Sequence, residues 1–95
     1  MEKLKEEILK MKKERWDVFT DMNSKDAERL LKIAGIDTDG CIEALNWADN
    51  GIHSYKFYTG KIDKNCEKEV IEAEFRFNGD VYASINRKPV LDITF

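Results

Sequence analysis

The spacing of apolar residues along this chain changes once, near Ile52. Before that point they recur at three- and four-residue steps, the period of a helix with one wet face. After it they alternate with polar residues, the period of a strand with one face buried.

Leu4, Ile8, Met11, Val18 and Met22, with Phe19 beside them, predict a first helix over about 2–22. Leu9 and Trp16 add a flanking stripe, and Glu6 stands four residues before Lys10 in the favourable ion-pair orientation. Arg15 falls in the middle of the apolar face. Its long stem can carry the guanidinium out to water, unless the helix ends or bends there. Asn23 or Ser24 can cap a second helix over about 24–34, with Asp26 in its first turn and Ala27, Leu30, Leu31 and Ala34 facing inward. Gly35 supplies the left-handed residue that closes it. Thr38 or Asp39 can cap a short third helix over about 40–49, in which Ile42, Leu45 and Ala48 face inward and Asn50-Gly51 is the stop.

The second half predicts strands over about 52–60, 68–77, 80–86 and 90–95. A three-residue loop, Phe77-Asn78-Gly79, pairs Phe75 with Val81, Ala73 with Ala83 and Ile71 with Ile85, and keeps every apolar residue on one face. A two-residue loop would mix the faces, so the odd loop is expected. The same parity makes the Asn86–Lys88 turn odd and pairs Ala83 with Leu91 and Val81 with Ile93. The fold expected is α+β, with N-terminal helices packed on one face of a four-stranded antiparallel meander, as a single domain over 1–95. Lys56, Tyr58, Glu72, Glu74, Arg76, Tyr82, Ser84, Asp92 and Thr94 would occupy the other face.

Composition supports a packed core, since 42% of residues are hydrophobic although 37% are charged. The net charge of −3 is unevenly placed. Residues 1–16 sum to +2, residues 17–50 to −5 and the rest to zero. A generic nucleic-acid footprint is therefore missing, and Glu72, Glu74 and Asp92 would repel phosphates from the Tyr58 and Tyr82 face. No apolar run reaches the roughly 20 residues of a membrane span. The charged start lacks an export signal, so a reducing cytoplasm with free Cys41 and Cys66 is expected.

Few residues carry chemistry. Aligning Gly40 to the turn of a calcium loop leaves Gly35 and Asn46 where acidic ligands are needed. Two Cys and one His fall short of a structural zinc set. A Cys-His pair from Cys41 or Cys66 with His53 matches no family signature in the local sequence, although a helix start would lower the pKa of Cys41. The glycines are isolated, so no phosphate loop is present. No metal or cofactor is expected.

The function expected is a small non-enzymatic protein-binding module, an inhibitor or antagonist of phage or mobile-element type. It would present an acidic surface to a basic partner such as a nucleic-acid-handling protein. The candidate partner-binding residues are Asp37, Asp39, Glu43, Asp49, Tyr58, Glu74, Arg76 and Tyr82. Trp47 joins Tyr58 and Tyr82 as a hot-spot residue type if exposed. The alternative is a small enzyme or ligand binder with a helix–sheet pocket near His53, Tyr55 and Cys66. A homodimer through helix 1 or the edge of the last strand fits either reading.

Overall fold

A computed structural model describes residues 2–95. The elements are α1 (Glu2–Lys12), α2 (Ser24–Ile33), β1 (Ile42–Asp49), β2 (Ile52–Ile62), β3 (Lys68–Arg76), β4 (Val81–Ile85) and β5 (Lys88–Ile93). The five strands form one antiparallel sheet in sequence order. The α+β class matches expectation, with two helices rather than three and five strands rather than four.

The first helix stops at Lys12, ten residues short of the expected end. Two local forces end it. The run Lys12-Lys13-Glu14-Arg15 has no apolar side chain to hold it on the core. Asp17 then competes for the backbone, its side chain accepting from the Phe19 N–H at 3.1 Å while its carbonyl accepts from the Thr20 hydroxyl at 2.8 Å. The Val18 N–H donates instead to the Phe77 carbonyl at 2.8 Å, which ties the loop to the sheet. Val18 and Phe19 are thereby buried from a loop. Arg15 lies on no apolar helix face: it is exposed, with its guanidinium 3.4 Å from the Thr20 carbonyl. Leu4 and Ile8 are fully buried within their own chain, so this face is not free for a partner helix.

The second helix follows its sequence closely. Asn23 and Asp26 form a reciprocal capping box, each side chain accepting from the other's N–H at 3.0–3.1 Å. At the far end the Ile36 N–H reaches the Leu31 carbonyl and the Gly35 N–H reaches that of Lys32, the two bonds of a Schellman motif. Gly35 has φ +92°, which explains the residue type. Buried Ile36 completes the hydrophobic contact.

The third helix expected over 40–49 is a strand. Ile42, Leu45 and Ala48 do fall at helical spacing, but Asn50-Gly51 is a hairpin turn rather than a helix stop. Both residues have positive φ, 51° and 76°, and Asp49 pairs with Ile52 across a two-residue loop. This is the type I′ geometry that Asn-Gly favours most strongly. Strand pairing to β2 then outweighs helical periodicity over eight residues.

The remaining hairpins test the parity reasoning. Across β3 and β4 the pairs are Phe75–Val81, Ala73–Ala83 and Ile71–Ile85, as expected for the three-residue loop, with Gly79 at φ +102°. Across β4 and β5 the pairs Ala83–Leu91 and Val81–Ile93 also form, but the expected odd turn does not. Asn86 and Arg87, both at positive φ, make a two-residue turn with Ile85 opposite Lys88, so β5 begins earlier than expected. The extra residue sits instead in a bulge, where the register jumps between Ala83–Leu91 and Ser84–Pro89. Parity was conserved, and the bulge supplied it.

One core joins Leu4 and Ile8 of α1, Val18 and Phe19, Ala27, Leu30 and Leu31 of α2, and the inner faces of four strands. Those strands contribute Tyr55 and Phe57, Ile71, Ala73 and Phe75, Val81 and Ala83, and Leu91 and Ile93. Phe75 sits at its centre, edge-on to Phe19 (5.2 Å between centroids) and to Tyr55 (5.9 Å). No residue of β1 belongs to this core, and all eight are exposed. The helical layer covers β2 to β5 and leaves β1 outside it.

Candidate interaction surface

The register of β1 follows from its turn. With Asp49 opposite Ile52, Trp47 faces Ser54 and Leu45 faces Lys56. Tyr55 and Phe57 point to the core, so Leu45 and Trp47 must lie on the face away from the helices. Two rows of side chains then cross the open face. One runs Leu45, Lys56, Glu72, Ser84, and the other runs Trp47, Ser54, Glu74, Tyr82, Asp92. Trp47 is 60% exposed, Leu45 46% and Tyr82 39%, whereas the middle of each row is charged or small. Leu45, Trp47 and Tyr82 border a shallow cavity of about 270 Å³ floored by Ser54, Glu72 and Ser84. Beside it a cleft of about 400 Å³ opens between Glu74, Arg76, Tyr82 and Asp92. An exposed Trp and Leu at neighbouring same-face positions, next to polar groups that can fix orientation, make a surface suited to a protein partner.

The candidate residues fall into separate groups. Glu74, Arg76 and Tyr82 share the open face, and Arg76 is paired with Glu74 at 3.2 Å. Asp49 stands in the row of Ile52 and Arg76, at the hairpin end of β1. Tyr58 faces Ile42 at the other end, with the Lys68 ammonium 5.2 Å from its ring centroid. Asp37 and Asp39 precede β1, where Asp37 accepts from the Asp39 N–H at 2.9 Å and Asp39 pairs with Lys32. Glu43 points to the helix side of the sheet, opposite Phe57 but beyond helical cover. Leu45 and Ile42 were missed because helical spacing assigned them to a core. Apolar alternation leading into Asn-Gly was the signal for the hairpin.

Acidity concentrates where β1 begins. The half-buried Cys41 thiol is pushed above its ordinary pKa by burial, then by the carboxylates of Glu28, Asp37, Glu69 and Asp39. The Tyr55 hydroxyl is raised by burial, then by Asp26 and Glu43. These groups belong to α2, the loop before β1, β1 itself and β3, so one negative field spans the approach to the strand. For a nucleophilic thiol the shift has the wrong sign, because the thiolate is disfavoured.

His53, Tyr55 and Cys66 are not brought together. The Tyr55 hydroxyl lies within the fold and donates to the Met22 carbonyl at 3.3 Å, and His53 faces Asp17 at 3.5 Å. Cys66 is exposed in the β2–β3 loop, beyond the far end of β2, and the nine residues from His53 to Ile62 span roughly 30 Å of strand. Between the helices the cavity beside Phe19, Met22 and Leu30 measures only about 100 Å³. Among the described residues no three His, Cys, Asp or Glu side chains are grouped to hold a metal ion, and no helix is long and apolar enough to cross a membrane. Comparison with protein-family models, with curated proteins and with solved structures finds no match.

Proposed function

We propose that this chain is a non-enzymatic protein-binding module whose partner docks on the open sheet face beside β1. The observation that carries the reading is the outer strand, exposed on both sides and presenting Leu45 and Trp47 as anchors next to Tyr82. A large aromatic contributes most to binding where it is desolvated by a partner, and Trp and Tyr are the residue types most often found in that role. The acids Asp37, Asp39 and Glu43 steer a basic partner toward the same strand. An inhibitor or antagonist of a nucleic-acid-handling protein, of phage or mobile-element type, fits this chemistry, since such proteins carry basic grooves.

The test is quantitative affinity capture from the native host with three baits: the wild-type chain, Trp47→Ala, and the double variant Asp37→Lys, Asp39→Lys. The expected outcome is one enriched partner, lost with Trp47→Ala and reduced with the charge reversal. Equal recovery of that partner by Trp47→Ala overturns the open-face reading, and equal recovery by the double variant removes the electrostatic part.

A further inference from the structure

We infer that the outer edge of β1 receives an extended basic segment of the partner as a sixth strand of the sheet, an inference that rests on the protein-binding reading above. In the β1–β2 ladder a two-residue turn makes Asp49–Ile52 a hydrogen-bonded pair, and pairs alternate from there. The backbone groups of Trp47 therefore bond β2, while the N–H and C=O of Asn46 and Ala48 point outward. Among the described residues no strand lies beyond them. Such a row of aimed donors and acceptors is the template for strand addition, in which main-chain bonds give affinity and alternate side chains give specificity.

The chemistry of the edge selects the occupant. The incoming strand would set every second side chain beside Leu45 and Trp47, so those positions are apolar. Its remaining positions pass Ala48, Asn46 and, beyond the bulge, Glu43 on the helix side, while Asp49 follows Leu45 and Trp47 at the turn end of the open face. Glu43 and Asp49 are the charged residues of β1, and Glu28, Asp37 and Glu69 act on Cys41 just before it. Lys32, in the last turn of α2, is engaged by Asp39 in the loop before the strand. Lysine or arginine in the partner strand would be attracted along this edge.

A second copy of this chain fits less well. Antiparallel pairing of two β1 strands about Asn46 brings two Glu43 and two Asp49 carboxylates into one ladder to which β1 supplies no cation, with Glu43 on the helix side and Asp49 on the open side. Charge thus favours a basic peptide over self-association.

The probe is a synthetic peptide of about ten residues alternating Val and Lys, titrated by fluorescence anisotropy. Its controls are a Val-Glu analogue and a Val-Lys analogue N-methylated at its central amides, which keeps the charge and abolishes the ladder. The full chain is compared with Ala48→Pro, which removes an outward N–H without touching the β1–β2 ladder, and with the double variant Glu43→Lys, Asp49→Lys. Thermal unfolding checks that each variant is folded. The Val-Lys peptide is expected to bind, with at least about tenfold loss on N-methylation, on Ala48→Pro and on charge reversal. Binding that survives both N-methylation and Ala48→Pro overturns strand addition. A concentration-dependent dimer that Ala48→Pro dissociates overturns the choice of occupant. Loss of the native partner with Trp47→Ala but not with Ala48→Pro sinks this inference and leaves the open-face reading standing. If neither variant loses the partner, both fail.

Discussion

β5 carries Pro89 in its second position, Lys88 before it, and a register jump opposite Ala83 and Ser84. β1, at the opposite side of the same sheet, has no proline and no lysine, although it too contains a bulge, between Glu43 and Leu45. Proline, an edge lysine and a bulge are the means by which natural sheets prevent strand addition. The helical layer makes a second contrast. Leu91 and Ile93 of β5 are buried under it, and Lys5 and Lys12 of α1 lie 5.6 and 4.5 Å from the ring of Phe95, just past the strand. β1 buries nothing. One edge is closed by local chemistry and built into the core; the other contributes little to the core and remains available. A strand held mainly by backbone pairing to one neighbour is a weak investment in stability, so its apolar side chains call for another explanation.

Truncating side chains on the two edges should expose this difference most strongly. Leu91→Ala is expected to cost about 2–5 kcal/mol in urea unfolding, because a fully enclosed side chain leaves a cavity. Leu45→Ala should cost less than about 1 kcal/mol, since its side chain is already half in water. Equal costs would mean that β1 is as structural as β5, and the comparison would break.

Two glycines sharpen the same point at smaller amplitude. At Gly79 the backbone has φ +102° and an added Cβ would lie 2.8 Å from the Ile8 methyl group, where α1 meets the β3–β4 turn. At Gly51, in the β1–β2 turn, φ is +76° and the nearest atom is Phe77 Cδ1 at 3.1 Å, on a partly exposed side chain that can move. Gly79→Ala is expected to cost about 2–3 kcal/mol and Gly51→Ala about 1–2 kcal/mol by thermal or urea unfolding. The reverse order would place the tighter junction on the β1 side.

The smallest effect is chemical. Burial and four carboxylates raise the pKa of Cys41, so folding disfavours its thiolate. Stability contributed by this shift is present below the free-thiol pKa and lost as pH rises through the folded value. At neutral pH an alkylating reagent should modify exposed Cys66 several-fold faster than Cys41, and the gap should close in denaturant. Mass spectrometry of timed samples reads the two sites separately. Faster modification of Cys41 would contradict the negative field assigned to the start of β1.

Much of the sheet was legible because strand periodicity and turn chemistry agree. The Phe77–Gly79 loop could be read from parity alone, since only an odd loop keeps Phe75, Val81, Ala73 and Ala83 on one face. Parity could not say where an extra residue goes. At Asn86-Arg87 it went into a bulge, which preserves the same face assignment as a longer turn. The end of α1 was hidden because Val18 and Met22 continue a helical spacing, although Val18 is buried from a loop and Met22 is partly buried at the approach to α2. Of the candidate site, the polar open face was legible from alternation. Leu45, on that face beside Trp47, was obscured by a spacing of three that helix and hairpin can both accommodate.

By itself the sequence determined the capped helix 24–33, the alternating strands after Ile52 and the acidity of the middle segment. These depend on neighbours a few residues apart, whose steric and hydrogen-bonding preferences act locally. Tertiary structure alone decided that residues 42–49 pair with β2 instead of coiling, and that the helices stop short of covering them. Eight residues of ambiguous period have no strong local preference, so the long β2 ladder decides their conformation. The exposed edge that follows from this is a property of how many strands two short helices can cover.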